Sequence, residues 1–244
     1  MNDTLELRVT QRTAELEALN QELANFAYIV SHDLKTPLRG ISQLAHWISQ
    51  DYAAALDAQG SAFLQLLMTR VKRLDAMING ILEYSRIGRI THPAQNIDFN
   101  ILLPHLIETL HPPTHIQVTL TTAFPTLLLD VTRISQVFKH LLGNAIKFMG
   151  DTPGEIRLGC LETPTAWQFS VGDTGPGLDP KYHEKIFQMF QTLSNRDESE
   201  DMGIGLALVK KIIECCQGQV WVESTPGVGS TFLFTLPKSR GGLA

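Results

Sequence analysis

The chain has 244 residues, 43% of them hydrophobic and 18% charged, so it is long enough for two domains and rich enough in apolar side chains to bury ordinary cores. A formal net charge of -5 argues against a chain that holds nucleic acid through clustered Lys and Arg, and the composition is not that of an acidic disordered tail. Three cysteines, Cys160 and the adjacent Cys215 and Cys216, have neither the number nor the spacing of a disulfide framework or a zinc site, which fits a reducing compartment, the cytoplasm.

From Leu5 to Val30 a heptad places Leu5, Val9, Leu16, Leu19, Leu23, Phe26 and Val30 on one seam, interrupted only by Arg12. That spacing predicts a coiled coil over residues 1–30 and hence a homodimer. In the same register Ser31 and His32 fall just past the seam, pointing away from the partner helix and toward solvent. Pro37 cannot donate to the helix ladder and is expected to bend the rod one turn beyond His32. The helix resumes through Ile41, Leu44, Ala45 and Ile48, and after a less regular stretch from Asp51 to Gly60 a second helix carries Leu64, Leu67, Val71, Leu74, Ile78 and Ile81 at heptad spacing. Two long helices joined by a short loop form an antiparallel hairpin over residues 31–91, and two such hairpins make a four-helix bundle.

After Gly88 the pattern changes, and residues 92–240 read as a second domain. Short apolar runs at Ile116–Leu120, Leu127–Leu129, Ile156–Leu161, Trp167–Val171, Val220–Glu223 and Thr231–Leu236 are expected strands, with helices near 101–110, 131–149 and 205–216. The fold class is therefore multidomain, α and α+β: a helical dimerising region followed by an α/β sandwich with a mostly antiparallel sheet. The longest uncharged run, between Glu108 and Asp130, is broken by Pro112, Pro113 and Pro125 and is no membrane helix. The N-terminus, Met1-Asn2-Asp3-Thr4, lacks the basic and then apolar pattern of a secretory signal.

Four segments carry chemistry. In Ser31-His32-Asp33-Leu34-Lys35-Thr36-Pro37-Leu38 a neutral imidazole is a good nucleophile near pH 7, and Thr36 lies one helical turn from it on the same face. On the expected helix 131–149, apolar Val137, Leu141, Leu142, Ala145 and Phe148 form an inward stripe that leaves Asn144 and Lys147 neighbouring on the next face. Asp173-Thr174-Gly175-Pro176-Gly177 follows an apolar strand and allows a tight turn with close backbone approach to a ligand. Gly203-Ile204-Gly205-Leu206 opens a helix, where backbone N–H groups make an anion site. The polar, charged stretch from Gln191 to Met202 has the composition of a mobile lid. There is no Gly-x-x-x-x-Gly-Lys-Ser/Thr loop, no His-Arg-Asp or Asp-Phe-Gly, no Gly-x-Ser-x-Gly elbow and no His-Glu-x-x-His helix.

In this order and at these separations the segments resemble a sensor histidine kinase of the two-component type over nearly the whole chain, and after Gly172 most resemble the kinases coupled to phytochrome, GAF or PAS sensors. The resemblance implies a gyrase-like ATP-binding domain that phosphorylates His32 from ATP and Mg2+. Asp33 would then polarise the imidazole, and Thr36 would orient water for dephosphorylating a partner. It also implies Asn144 as the Mg2+ ligand, Lys147 as a phosphate contact and Asp173 as acceptor of the adenine amine. Gly175, Gly177, Gly203, Gly205 and Leu206 would shape the nucleotide site, and Phe187 and Phe190 would steady the lid. The implied partners are a second copy of the chain, the receiver domain of a response regulator and an upstream sensor, with residues 1–30 as a signalling helix. Two positions depart from the family's pattern: His140 stands where an asparagine is common and Asp201 where a glycine is common. They favour a rival reading, a non-catalytic dimeric scaffold with a degenerate nucleotide-binding domain.

Overall fold

A computed structural model describes residues 2–90, 93–192 and 202–238 and separates into two compact units, Met1–Arg86 and Ile87–Ala244. The first is a helical hairpin. Helix α1 (Asn2–Asp51) runs through Pro37 without interruption, a short 3-10 turn follows at Ala53–Ala55, and α2 (Ala58–Arg86) returns against α1. Asp57, just before α2, accepts the Gly60 N–H at 2.6 Å and satisfies one of the orphan donors of the first turn.

Among the described side chains of α1 the buried ones are Ser31, Leu38 and Ala45, seven residues apart, and Leu38 clusters with Val71 and Ile78 of α2. This corrects the expectation for Ser31, which is only 4% exposed. The inward stripe of α1 runs through Ser31 because Leu38 and Ala45 set its register. Of the expected continuation, Ala45 is buried, while Ile41, Leu44 and Ile48 are exposed and share a second apolar stripe with Val30 and Leu34. On α2 the same division holds: Val71 and Ile78 are covered by α1, whereas Leu67 and Leu74 are exposed. In the N-terminal part of α1 the side chains of Leu5, Val9, Leu16 and Leu23 lie outside the described residues; Leu19 and Phe26 are exposed.

The second unit is an α/β sandwich. Strands β2 (Ile116–Leu120), β4 (Gly154–Glu162), β5 (Ala166–Asp173), β6 (Val220–Thr225) and β7 (Gly229–Pro237) form a sheet in the order β2-β4-β5-β7-β6. Only the β2–β4 pair is parallel, so the expectation of a mostly antiparallel sheet holds. Helices α3 (Phe99–Leu110), α4 (Val131–Met149) and α5 (Gly205–Cys215) lay their apolar stripes on one face of it. There Phe169 and Phe234 stack with centroids 5.2 Å apart, and Phe99 and Phe138 meet them from α3 and α4. These four rings are wholly buried with Ile156, Leu158 and Val171, positions that alternate along β4 and β5.

Residues Gln95–Asp98 form β1, which pairs antiparallel with β3 (Thr126–Leu129) in a separate two-stranded ribbon. Gln-Asn-Ile-Asp has one strand-favouring residue in four, so β1 has no signature in its own sequence. Asp98 and Asp130, the residues before α3 and α4, cap those helices through their carboxylates.

Candidate functional site

In the hairpin, α1 presents His32 on its outer surface with the side chain 70% exposed. The Asp33 carboxylate lies 3.2 Å from Nδ1. With an anion there, the neutral tautomer that carries its proton on Nδ1 is favoured, which leaves the lone pair on Nε2. Thr36 is exposed one turn further on, its hydroxyl 3.5 Å from the His32 carbonyl, the outer limit for a hydrogen bond.

In the sandwich, a cavity of about 210 Å³ opens where α4, the turn after β5, the start of α5 and β7 meet. Asp173 is the last residue of β5, and its register partner across the sheet is Ser230 of β7. One carboxylate oxygen, Oδ1, accepts the Gly175 N–H at 2.9 Å and the Ser230 N–H at 3.4 Å. Burial pushes its carboxyl up from the ordinary value, and the two N–H bonds pull it partly back. Leu178, Ile186 and Phe232 also line the cavity. A carboxylate fixed by one oxygen amid apolar side chains suits a flat heteroaromatic ring with one exocyclic N–H donor.

At another part of the lining stand Asn144 of α4 with Gly203, Gly205 and Leu206. Ile204, the residue before α5, makes no side-chain capping hydrogen bond, and the start of a helix favours anions. Two glycines hold the surrounding backbone in left-handed conformations. Gly203, at φ +63°, has its carbonyl accept the Phe190 N–H at 2.9 Å, and a Cβ there would overlap the Gln191 backbone. Gly177, at φ +69°, passes equally close to the Thr225 carbonyl, in a turn held by the Gly227 N–H on the Pro176 carbonyl at 2.7 Å. Among the described residues no three His, Cys, Asp or Glu side chains converge on a metal-binding centre. A divalent ion beside Asn144 would therefore rely on that amide oxygen and on oxygens of the ligand itself, a set that suits Mg2+.

Two family models match the chain: the His Kinase A (phospho-acceptor) domain over residues 22–90, and the histidine kinase-, DNA gyrase B- and HSP90-like ATPase over residues 129–240. The chain belongs to the histidine kinase family. It is 37% identical over 234 residues to the phytochrome-like protein Cph1 of Synechocystis, covering 94% of this chain and 31% of that protein. To the adaptive-response sensory kinase SasA of Synechococcus elongatus it is 32% identical, covering 96% of this chain and 64% of the relative. The chain thus spans about a third of the length of the phytochrome relatives it matches. Among solved structures, full-length ShkA in complex with AMPPNP superposes with a TM-score of 0.65 at 28% identity, over 86% of this chain and 45% of that one. ThkA in complex with the response regulator protein TrrA shares the fold, with a TM-score of 0.59 at 22% identity over 90% of this chain and 64% of that one.

Of the residues that the histidine kinase pattern singles out, Asn144, Asp173, Gly177, Gly203, Gly205 and Leu206 line the one cavity. Gly175 serves it indirectly, through its bond to Asp173. Lys147 is not in the lining, and its Nζ lies 5.4 Å from the ring centroid of Phe148. Phe187 is buried edge-on against Phe232 with centroids 6.4 Å apart, and Phe190 takes a left-handed backbone at φ 64°. Asp201 and most of the expected lid lie outside the described residues. Sequence reasoning missed Ser230, Phe232, Leu178 and Ile186 in the lining. Alternation along β7 places 230 and 232 on one face with Phe234, but only the pairing of β5 with β7 brings that face to Asp173.

Proposed function

We propose that this chain is the transmitter region of a sensor histidine kinase: ATP bound in the sandwich donates its γ-phosphoryl group to Nε2 of His32. The bond between the γ-phosphorus and the β,γ-bridging oxygen breaks, the N–P bond forms, and ADP leaves. Asp173 supports adenine recognition by accepting the exocyclic N–H, which a guanine ring, with an oxygen in that place, lacks. The amides at the start of α5 and the Lys147 ammonium would offset phosphate charge, and Asn144 would hold Mg2+, which supplies charge neutralisation along the triphosphate. Asp33 would favour the neutral tautomer with its proton on Nδ1, leaving the Nε2 lone pair to attack.

A response regulator aspartate would take the phosphoryl group from His32, and Thr36 would serve the reverse, phosphatase reaction by holding a water one turn away. The exposed apolar stripe of Val30, Leu34, Ile41 and Leu44 on α1, beside Leu67 and Leu74 on α2, supports a homodimer in which two hairpins close a four-helix bundle. In this reading residues 1–30 carry the signal from a sensor, 31–91 dimerise and accept phosphate, and 92–240 bind ATP, all in the cytoplasm. No described helix is long and apolar enough to cross a membrane.

The observation that carries the reading is the half-held carboxylate of Asp173 in an apolar cavity on the same chain as an outward-facing imidazole. Incubation with γ-labelled ATP and Mg2+ should give an acid-labile, alkali-stable label on His32. His32→Gln should abolish the label and leave nucleotide affinity unchanged. Label that persists in that variant, or nucleotide binding with no label in the parent protein, would overturn the kinase reading.

A further inference from the structure

Ser224 of β6 is the register partner of Ser230 of β7, and three groups meet at its hydroxyl. The Leu178 N–H donates to its Oγ at 2.7 Å, the Gly229 carbonyl oxygen lies 2.8 Å from it and the Ser230 Oγ 2.9 Å from it. A hydroxyl has one hydrogen and two lone pairs. A backbone N–H can only donate and a carbonyl can only accept. The Ser224 hydrogen therefore goes to Gly229, one lone pair takes the Leu178 N–H, and the other takes the hydroxyl hydrogen of Ser230. The hydrogen-bonding capacity of Ser224 is then full.

That arrangement fixes Ser230, which is buried, lines the cavity and meets Asp173 Oδ1 through its own N–H. With its only hydroxyl hydrogen committed to Ser224, the Ser230 oxygen offers lone pairs alone to a ligand. Leu178, whose N–H is held by the same Ser224 oxygen, lines the cavity as well. Resting on the nucleotide reading above, we infer that Ser224 is a positioning residue for base recognition: it holds the Ser230 hydroxyl as a second acceptor beside the Asp173 carboxylate, so that the cavity selects a base edge carrying an exocyclic amine. Ser224 is not in the lining and acts through Ser230 and Leu178. In Ser224→Ala the Ser230 hydrogen loses its acceptor and can turn toward the cavity, where it opposes an N–H donor.

The test measures the affinity of the full chain for ADP and for purine riboside diphosphate, which lacks the exocyclic amine; neither carries a γ-phosphoryl group, so binding alone is read. The parent is expected to favour ADP by at least about thirtyfold, and Ser224→Ala to lower that ratio by at least about fivefold, with Ser230→Ala lowering it as much. The double variant should stay within about twofold of either single one, because the two hydroxyls act through one bond. Should Ser224→Ala not fold, Ser224→Cys, whose thiol is a weak donor and a weak acceptor, is read in the same way. A parent without preference for ADP, or variants that lose affinity equally for both nucleotides as a mere brace of the turn would, overturns the inference and leaves the nucleotide site standing. Failure of the parent to bind either nucleotide overturns both.

Discussion

Asp173 shows how much of a binding site can rest on one oxygen. Its Oδ1 is committed to two backbone N–H groups, which holds the carboxyl in place, and burial makes its charge costly. Because the folded-state pKa is raised, this group's stabilising contribution is fully present below the unfolded value and is lost as pH rises through the folded one, so at pH 7 the carboxylate is a net cost to the nucleotide-free domain. Asp173→Asn keeps an oxygen for Gly175 and Ser230 and removes the buried charge. The variant is expected to melt higher than the parent without nucleotide, by a margin that shrinks as pH is lowered toward 4, while ATP affinity falls roughly tenfold to a hundredfold with loss of a charge-assisted bond. Calorimetry across pH and a nucleotide titration read the two effects separately. Gly203→Ala is expected to cost at least roughly 1–2 kcal/mol for the left-handed backbone alone, before the overlap with Gln191, visible as a lower unfolding midpoint in denaturant. Asp173, Gly177 and Gly203 were legible in the sequence because tight turns have their own residue grammar. The Ser230 N–H was not, since it depends on which strand lies alongside.

The helices of the hairpin show the same division one level up. Heptad counting finds the apolar residues of α2, yet a helix in a bundle has two neighbours, and a single heptad cannot say which residues meet which. The answer came from the pairing: Leu38, Val71 and Ile78 pack within the hairpin, and Leu74, 48% exposed, belongs to the outward stripe. Leu38→Ala should therefore destabilise the hairpin itself by about 2–3 kcal/mol, measured by denaturant unfolding at fixed protein concentration. Leu74→Glu should leave the hairpin helical by circular dichroism and weaken self-association by tenfold or more in sedimentation equilibrium. Equal effects of the two substitutions on both measurements would deny the two-stripe assignment. Strand β1 escaped sequence reading for a different reason: its four residues gain their extended form from pairing with β3.

Across the whole molecule the two units bury separate cores, so thermal unfolding is expected to show two transitions rather than one. Raising protein concentration should move only the transition of the hairpin, which self-association stabilises, and ADP should move only that of the sandwich. A single transition shifted by both would mean that the units unfold together. The stapled stem of residues 190 and 203 has a further consequence, for divergence among related proteins. Once a loop's feet are fastened by main-chain bonding, doubling its length costs only about 0.6 kcal/mol of closure entropy. Insertions between residues 190 and 203 should thus accumulate at little expense to folding, and related proteins are expected to differ there in length and composition.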